Sequence, residues 1–205
     1  HDVLVGAEFS CTVPDFDTGI HVLTFGFTPE QEAKLNKKRQ DLYKFLDYTT
    51  EHDIPTIWAH PLYHYRSKGI PPLKFFDKMA LCFERFEVIN GQRDAWQNML
   101  VKTWLDSLNE DTLQKLSKKY KIKPDRYCSK PFKKVMSGGS DCHMGIFSGL
   151  SGTLVNVPEL KDKTNMKRSQ LVLEAIKRGN IAPFGTQSGS EMMMITFLDF
   201  FCQVG

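Results

Sequence analysis

What most constrains the fold of this chain is an alternation: short apolar runs closed by proline or glycine take turns with longer segments of helical periodicity. Strand-like runs fall at 2–9, 20–26, 54–60, 86–90, 152–157 and 181–185, and Val135-Met136 leads a further one into Gly138-Gly139. Between them lie segments with apolar residues three and four apart, the spacing of one helix face. The first of these opens at Thr28-Pro29-Glu30-Gln31. Thr28 is placed to cap the first turn, Pro29 suits the first helical position and Gln31 completes a capping box. Leu35, Leu42, Phe45, Leu46 and Thr49 then form one long buried stripe, with Lys34, Lys37, Lys38 and Arg39 on the solvent side. Further helices are expected from Pro71-Pro72 (Leu73, Phe76, Met79, Ala80 and Phe83 inward), over 94–108, 111–120 and 168–179, and from about Ser190. Strand and helix in turn predict an α/β fold on a mostly parallel sheet, open or closed, whose first strand is buried on both faces.

Composition narrows the functional classes. The 205 residues, 41% apolar and 12% aromatic, suit one packed domain spanning 1–205. A net charge of +3 is too small to indicate nucleic acid by itself. The five cysteines are scattered without a CxxC pair, as expected of reduced thiols in a cytoplasmic protein. No apolar run reaches the roughly 18–20 residues of a membrane-spanning helix. The chain opens His1-Asp2 with no initiator methionine or signal peptide, and is expected to be a fragment lacking what precedes it.

The polar residues that break the apolar runs point to a site. Asp141 and His143, in Ser140-Asp141-Cys142-His143, follow a strand at i and i+2, a spacing that aims both side chains the same way. A carboxylate and an imidazole converging there suit a divalent metal ion. Glu8 and His60 also fall at or near strand ends, where ligand sites of parallel α/β proteins gather; His21 lies nearer the start of its strand. Taken singly, each has a plainer reading. Glu8 is then a surface carboxylate, His21 a core histidine bonded to backbone, Asp141 a turn cap and His143 a solvated loop residue. Their repetition on separate strands favours a common site. His64 and Tyr63, just past Pro61, are placed to line a cleft, whereas Cys142 reads as packing.

With Val5-Gly-Ala-Glu8, Ile20-His21-Val-Leu, Ala59-His60-Pro61 and Ser140-Asp141-Cys-His143 in that order, the chain resembles the PHP domain, the polymerase and histidinol phosphatase family of metal-dependent phosphoesterases. Phe86-Glu-Val-Ile-Asn-Gly-Gln-Arg93 is similar to PHP modules fused to bacterial glycosyltransferases. The resemblance implies a distorted (β/α)7 barrel with up to three divalent metal ions (zinc, manganese or iron) at the strand C-termini. It implies that Glu8 bridges two metals, that His21 and His60 complete the second, and that Asp141 holds the first and His143 the third. Glu8, Asp141 and His143 are then the catalytic group. Arg93, His64, Arg66 and Lys68 are the candidates for contacts to substrate. The family's opening His-x-His and Asp-His motifs are absent, so the barrel is expected to lack its first one or two strands. The missing piece would be a separate associated segment, or a fused glycosyltransferase a neighbour. The expected activity is hydrolysis of a small phosphoester. A non-catalytic module and a nuclease are the rivals, the latter using the basic stretch 118–134 with Tyr120, Tyr127 and Phe132.

Overall fold

A computed structural model describes residues 3–63, 71–143, 145–162 and 165–186, together with 189, 194, 195 and 198. The expected helix from about Ser190 lies largely outside the described residues. Among the described residues no helix is long and apolar enough to cross a membrane.

Two strands, β1 (Gly6–Val13) and β2 (Thr18–Phe25), form an antiparallel hairpin with Ser10 opposite His21. Asp17 turns the chain between them with a positive φ of 48°. Phe9, Cys11 and Val13 of β1 are buried with Ile20, Val22 and Thr24 of β2, while Glu8, Ser10 and Thr12 are exposed on the other face. The apolar run at 2–9 therefore does not become a strand buried on both sides. Val3 and Val5 are exposed ahead of the strand, and a period of two governs the rest.

The short β3 (Thr56–Trp58) runs antiparallel to β2 and parallel to β4 (Arg85–Asn90), which is parallel in turn to β5 (Val135–Gly139). The order is β1-β2-β3-β4-β5, a mixed five-stranded sheet. β6 (Ser151–Val155) and β7 (Ile181–Gly185) form a separate antiparallel pair. The α/β class stands, but the expected barrel does not: no closed barrel is found among the described residues. Two causes are visible. The chain enters β2 by a hairpin, not by a helical crossover, so the first strands alternate in direction. At the far side β6 meets β5 through side chains in place of a backbone ladder: Thr153 Oγ1 accepts from Gly138 N at 3.0 Å and donates to Gly138 O at 2.6 Å, and Ser151 Oγ donates to Gly139 O at 2.9 Å.

The expected long first helix is two, α1 (Pro29–Lys38) and α2 (Leu42–Glu51). The Thr28–Gln31 capping box forms as read. The break comes at Asp41, whose carboxylate accepts from Tyr43 N and Lys44 N and so starts a second helix. α3 (Leu73–Cys82) buries Phe75, Met79, Ala80, Leu81 and Cys82, whereas Leu73 is 83% exposed. α4 (Ala95–Ser107) and α5 (Glu110–Tyr120) start at the capping side chains of Asp94 and Asn109. α6 (Arg168–Arg178) ends at Gly179, whose φ of 76° is left-handed and open to glycine at little cost.

The core centres on fully buried Trp58 of β3, whose ring lies 5.7 Å from Phe75, 5.8 Å from Phe83, 6.0 Å from Phe86 and 6.1 Å from Trp104. Truncating such a residue costs about 3–5 kcal/mol. This aromatic block fixes β3 against α3 and α4, and so fixes where the chain emerges at His60.

Candidate metal centre

Three ligand atoms converge at the edge where β3 ends. Glu8 Oε1, His21 Nδ1 and His60 Nε2 all lie within 4.8 Å of one another. Glu8 Oε1 contacts His21 Nδ1 directly and lies 4.0 Å from His60 Nε2. The two imidazole nitrogens face each other at 3.2 Å. Pairing explains why residues so far apart in sequence meet. Ser10 sits opposite His21, and Glu8 is two residues from Ser10 on the same face, so Glu8 and His21 are diagonal neighbours. Because β2 runs against β3, the start of β2 lies beside the end of β3, and Ala59 N donates to His21 O at 3.1 Å. His21, expected near the start of its strand, is the fourth of the eight residues of β2 and reaches the site for that reason.

His60 has a φ of 30°, uncommon for any residue but glycine, at a cost on the order of 1–3 kcal/mol. Its Nδ1 pairs with Tyr63 O at 3.4 Å, which leaves Nε2 as the nitrogen turned toward Glu8 and His21. Binding one ring nitrogen to a backbone carbonyl is how metal-ligating histidines are commonly oriented. Two ligands about 2.05 Å from a tetrahedral zinc are about 3.3 Å apart, which matches the separation of the two imidazole nitrogens, whereas Glu8 Oε1 is in direct contact with His21 Nδ1 and would have to draw back to admit an ion.

Electrostatics favour a charged site. Hydrogen bonds to His21, then to His60, hold the Glu8 carboxyl well below the usual carboxylate range against its partial burial. Burial opposes charge on His60, but the bond to Glu8 and the charges of Glu87 and Asp141 outweigh it and raise the imidazole's pKa.

Asp141 and His143 stand apart from the triad. Asp141 lies beyond the end of β5 with a left-handed φ of 49°, so strand alternation no longer applies, yet the two side chains stay together, His143 Nδ1 3.6 Å from Asp141 Oδ1. The Asp141 side chain is 8% exposed and that of His143 80%, with His143 Nδ1 against Asp141 O at 2.9 Å. Asp141 Oδ2 accepts from Asn90 Nδ2 at 3.2 Å and Arg93 Nη2 at 3.3 Å. Arg93 stacks on Tyr63, its guanidinium carbon 3.8 Å from the ring centre, and its buried Nε has no hydrogen-bond partner among the described residues. Tyr63 and Arg93 thus do border the site. His64, Arg66 and Lys68 lie outside the described residues.

Two residues that sequence reasoning did not single out hold the site together. Glu87 Oε2 accepts from His60 N at 2.8 Å and from Asn90 Nδ2 at 2.9 Å. Glu87 and Asn90, three apart, would point to opposite faces of a regular strand. The register between β4 and β5 shifts between Glu87 and Ile89, and this bulge allows the two side chains to meet. Burial raises the Glu87 carboxyl above its ordinary range. The sequence signals were a carboxylate inside an otherwise apolar run and the place of both residues in the stretch Phe86–Arg93.

The basic stretch is not laid out as a stacking platform. Tyr120 Oη donates to Asp77 at 2.7 Å, Tyr127 packs on Tyr43, and Phe132 packs against the cluster of Ala80, Leu81 and Leu113. Lys134 donates to Phe83 O and Pro131 O, and burial lowers its pKa. No family model matches the chain, and no curated protein matches it.

Proposed function

We propose that this chain is a metal-dependent phosphoesterase of the PHP kind, with a divalent ion held by Glu8, His21 and His60. The observation that carries the reading is the convergence of one carboxylate oxygen and two imidazole nitrogens from β1, β2 and the end of β3 within 4.8 Å. A nitrogen and oxygen donor set without thiolate suits zinc, manganese or iron. When bound, such an ion supplies Lewis acidity toward a phosphoryl oxygen and acidifies water.

The chain's own groups then divide the work. Glu8, kept ionised by its histidines, supplies the anionic ligand, and Tyr63 O keeps His60 Nε2 turned inward. Arg93, braced by Tyr63 and Asp141, brings a cation beside the cleft for a substrate phosphoryl oxygen. Asp141, buried and near His60, is the second carboxylate, and exposed His143 lies against it, its Nδ1 3.6 Å from Asp141 Oδ1. The committed aromatics of the basic stretch favour a small phosphoester over a nucleic-acid strand.

The test is metal content of the purified chain after dialysis against zinc or manganese, paired with hydrolysis of p-nitrophenyl phosphate and bis-p-nitrophenyl phosphate. At least one bound equivalent, lost with activity in Glu8→Ala, is expected. Metal content equal to that of Glu8→Ala would sink the reading. Binding without hydrolysis across a phosphoester panel would leave a non-catalytic module attached to another enzyme.

A further inference from the structure

We infer that Glu87 is the positioning residue of the metal centre: its carboxylate fixes His60 through the main chain and ties it to Asp141. This rests on the metal site proposed above and adds a residue that touches none of the three ligand atoms.

Glu87 is 4% exposed, in the interior of β4. Its Oε2 is the acceptor for the His60 amide at 2.8 Å, at the residue whose backbone is left-handed. That amide is buried, and without Oε2 it would lose its partner, a costly state for a backbone donor. The same oxygen takes Asn90 Nδ2 at 2.9 Å, and that nitrogen also reaches Asp141 Oδ2 at 3.2 Å. Asn90 is itself clamped to α4: its N–H donates to Asn98 Oδ1 at 3.1 Å, and Asn98 Nδ2 donates to Asn90 O at 3.1 Å. On its other side the carboxylate is wedged against Gly139, where a Cβ would collide with Glu87 Oε1. One side chain thus joins the ends of β3, β4 and β5. A buried carboxylate with this placement is a poor packing element but a good fixed acceptor. Holding the amide keeps the left-handed turn at His60, and that turn brings its ring to 4.9 Å from the ring of His21.

Glutamine keeps an acceptor oxygen at the same reach, whereas methionine keeps the length and removes the acceptor. The experiment is zinc affinity by competition with a chromophoric chelator for wild type, Glu87→Gln, Glu87→Met and Glu8→Ala, beside the urea midpoint of each metal-free protein. Glu87→Gln should bind zinc within about threefold of wild type, and Glu87→Met about 10–100-fold more weakly. Glu87→Met binding like wild type, or Glu87→Gln binding as weakly as Glu87→Met, overturns the inference. Should Glu87→Met fail to fold, Gly139→Ala decides: pressing on the carboxylate from β5, it should weaken zinc binding about tenfold, and wild-type affinity there overturns the inference. Wild type holding zinc no better than Glu8→Ala would instead fail the metal reading, and this inference with it. A wild type well above Glu8→Ala, with an indifferent Glu87→Met, fails this inference alone.

Discussion

Strand β4 carries a charged cluster at each end, and the two are built on opposite terms. At its start, Glu84 and Arg85 form a buried pair at 3.1 Å. Arg85 also donates from Nε to Ile176 O at 2.9 Å and from Nη2 to Lys177 O, closing the C-terminus of α6. Glu84 Oε2 takes Ser129 Oγ and Lys130 N, both at 3.0 Å. That cluster is internally satisfied. At the far end, Glu8, Glu87 and Asp141 gather around two histidines and Arg93, while the buried Arg93 Nε and Gln92 Nε2 have no partner among the described residues. Charges on one strand can serve as mortar or as a receptor, and hydrogen-bond completeness separates the two.

The contrast can be broken at either end. The largest effect is expected at the closed end: Arg85→Met should cost about 3–5 kcal/mol in urea unfolding, because it strands Glu84 and two helix carbonyls. Its zinc affinity should match wild type, and a loss there would mean the ends are coupled. At the open end, Glu8→Ala should lower zinc affinity more than about 100-fold, roughly 2.7 kcal/mol. Its metal-free stability should fall by no more than about 1 kcal/mol, as for a part-exposed side chain that loses a hydrogen bond. A large fall in that stability would make Glu8 structural.

Thiol reactivity sharpens the comparison more gently. Burial pushes Cys128, beside the closed cluster, up to about 12, whereas Cys142 at the open end is partly exposed. Iodoacetamide at neutral pH should label Cys142 and spare Cys128, read by mass spectrometry of the peptides. Equal labelling would count against the closed end. The smallest effect is on pH dependence. Glu8 has a depressed folded pKa, so its stabilisation is present above the ordinary glutamate value of about 4.3 and fades as pH falls through and below it. Between pH 6 and 3 the metal-free wild type should lose more urea stability than Glu8→Gln, modestly because Glu8 is part-exposed. Parallel curves would remove Glu8 from the acid response.

How far the sequence was readable depended on the range of the interaction. The Thr28–Gln31 box and the Gly179 cap are local, and both formed as read. Asp41 was equally local, but the continuous stripe across 35–49 masked its cap. Strand direction was not legible, because the apolar run before Glu8 looks the same in a hairpin as in a parallel strand. The barrel expectation failed at that point, although three of the five proposed ligands still met. Asp141 and His143 remain a pair, 3.6 Å apart at Oδ1 and Nδ1, but a left-handed turn past the last strand residue, not strand alternation, places them, and they lie outside the triad. Glu87 was hidden because the bulge beside it belongs to the pairing of β4 with β5 and to neither strand alone.

The hairpin carries one more consequence. Two of the three donors, Glu8 and His21, sit on the same two-stranded ribbon, and both project from its uncovered side. If the ribbon threaded one residue out of step, one of them would turn into the aromatic interior and the pair would be lost. An ion grasping both would therefore act as a proofreader of the register between β1 and β2, rewarding only correctly threaded molecules. Lengthening the turn around Asp17 should be harmless to this check, whereas deleting one residue between Glu8 and Asp15 should defeat it.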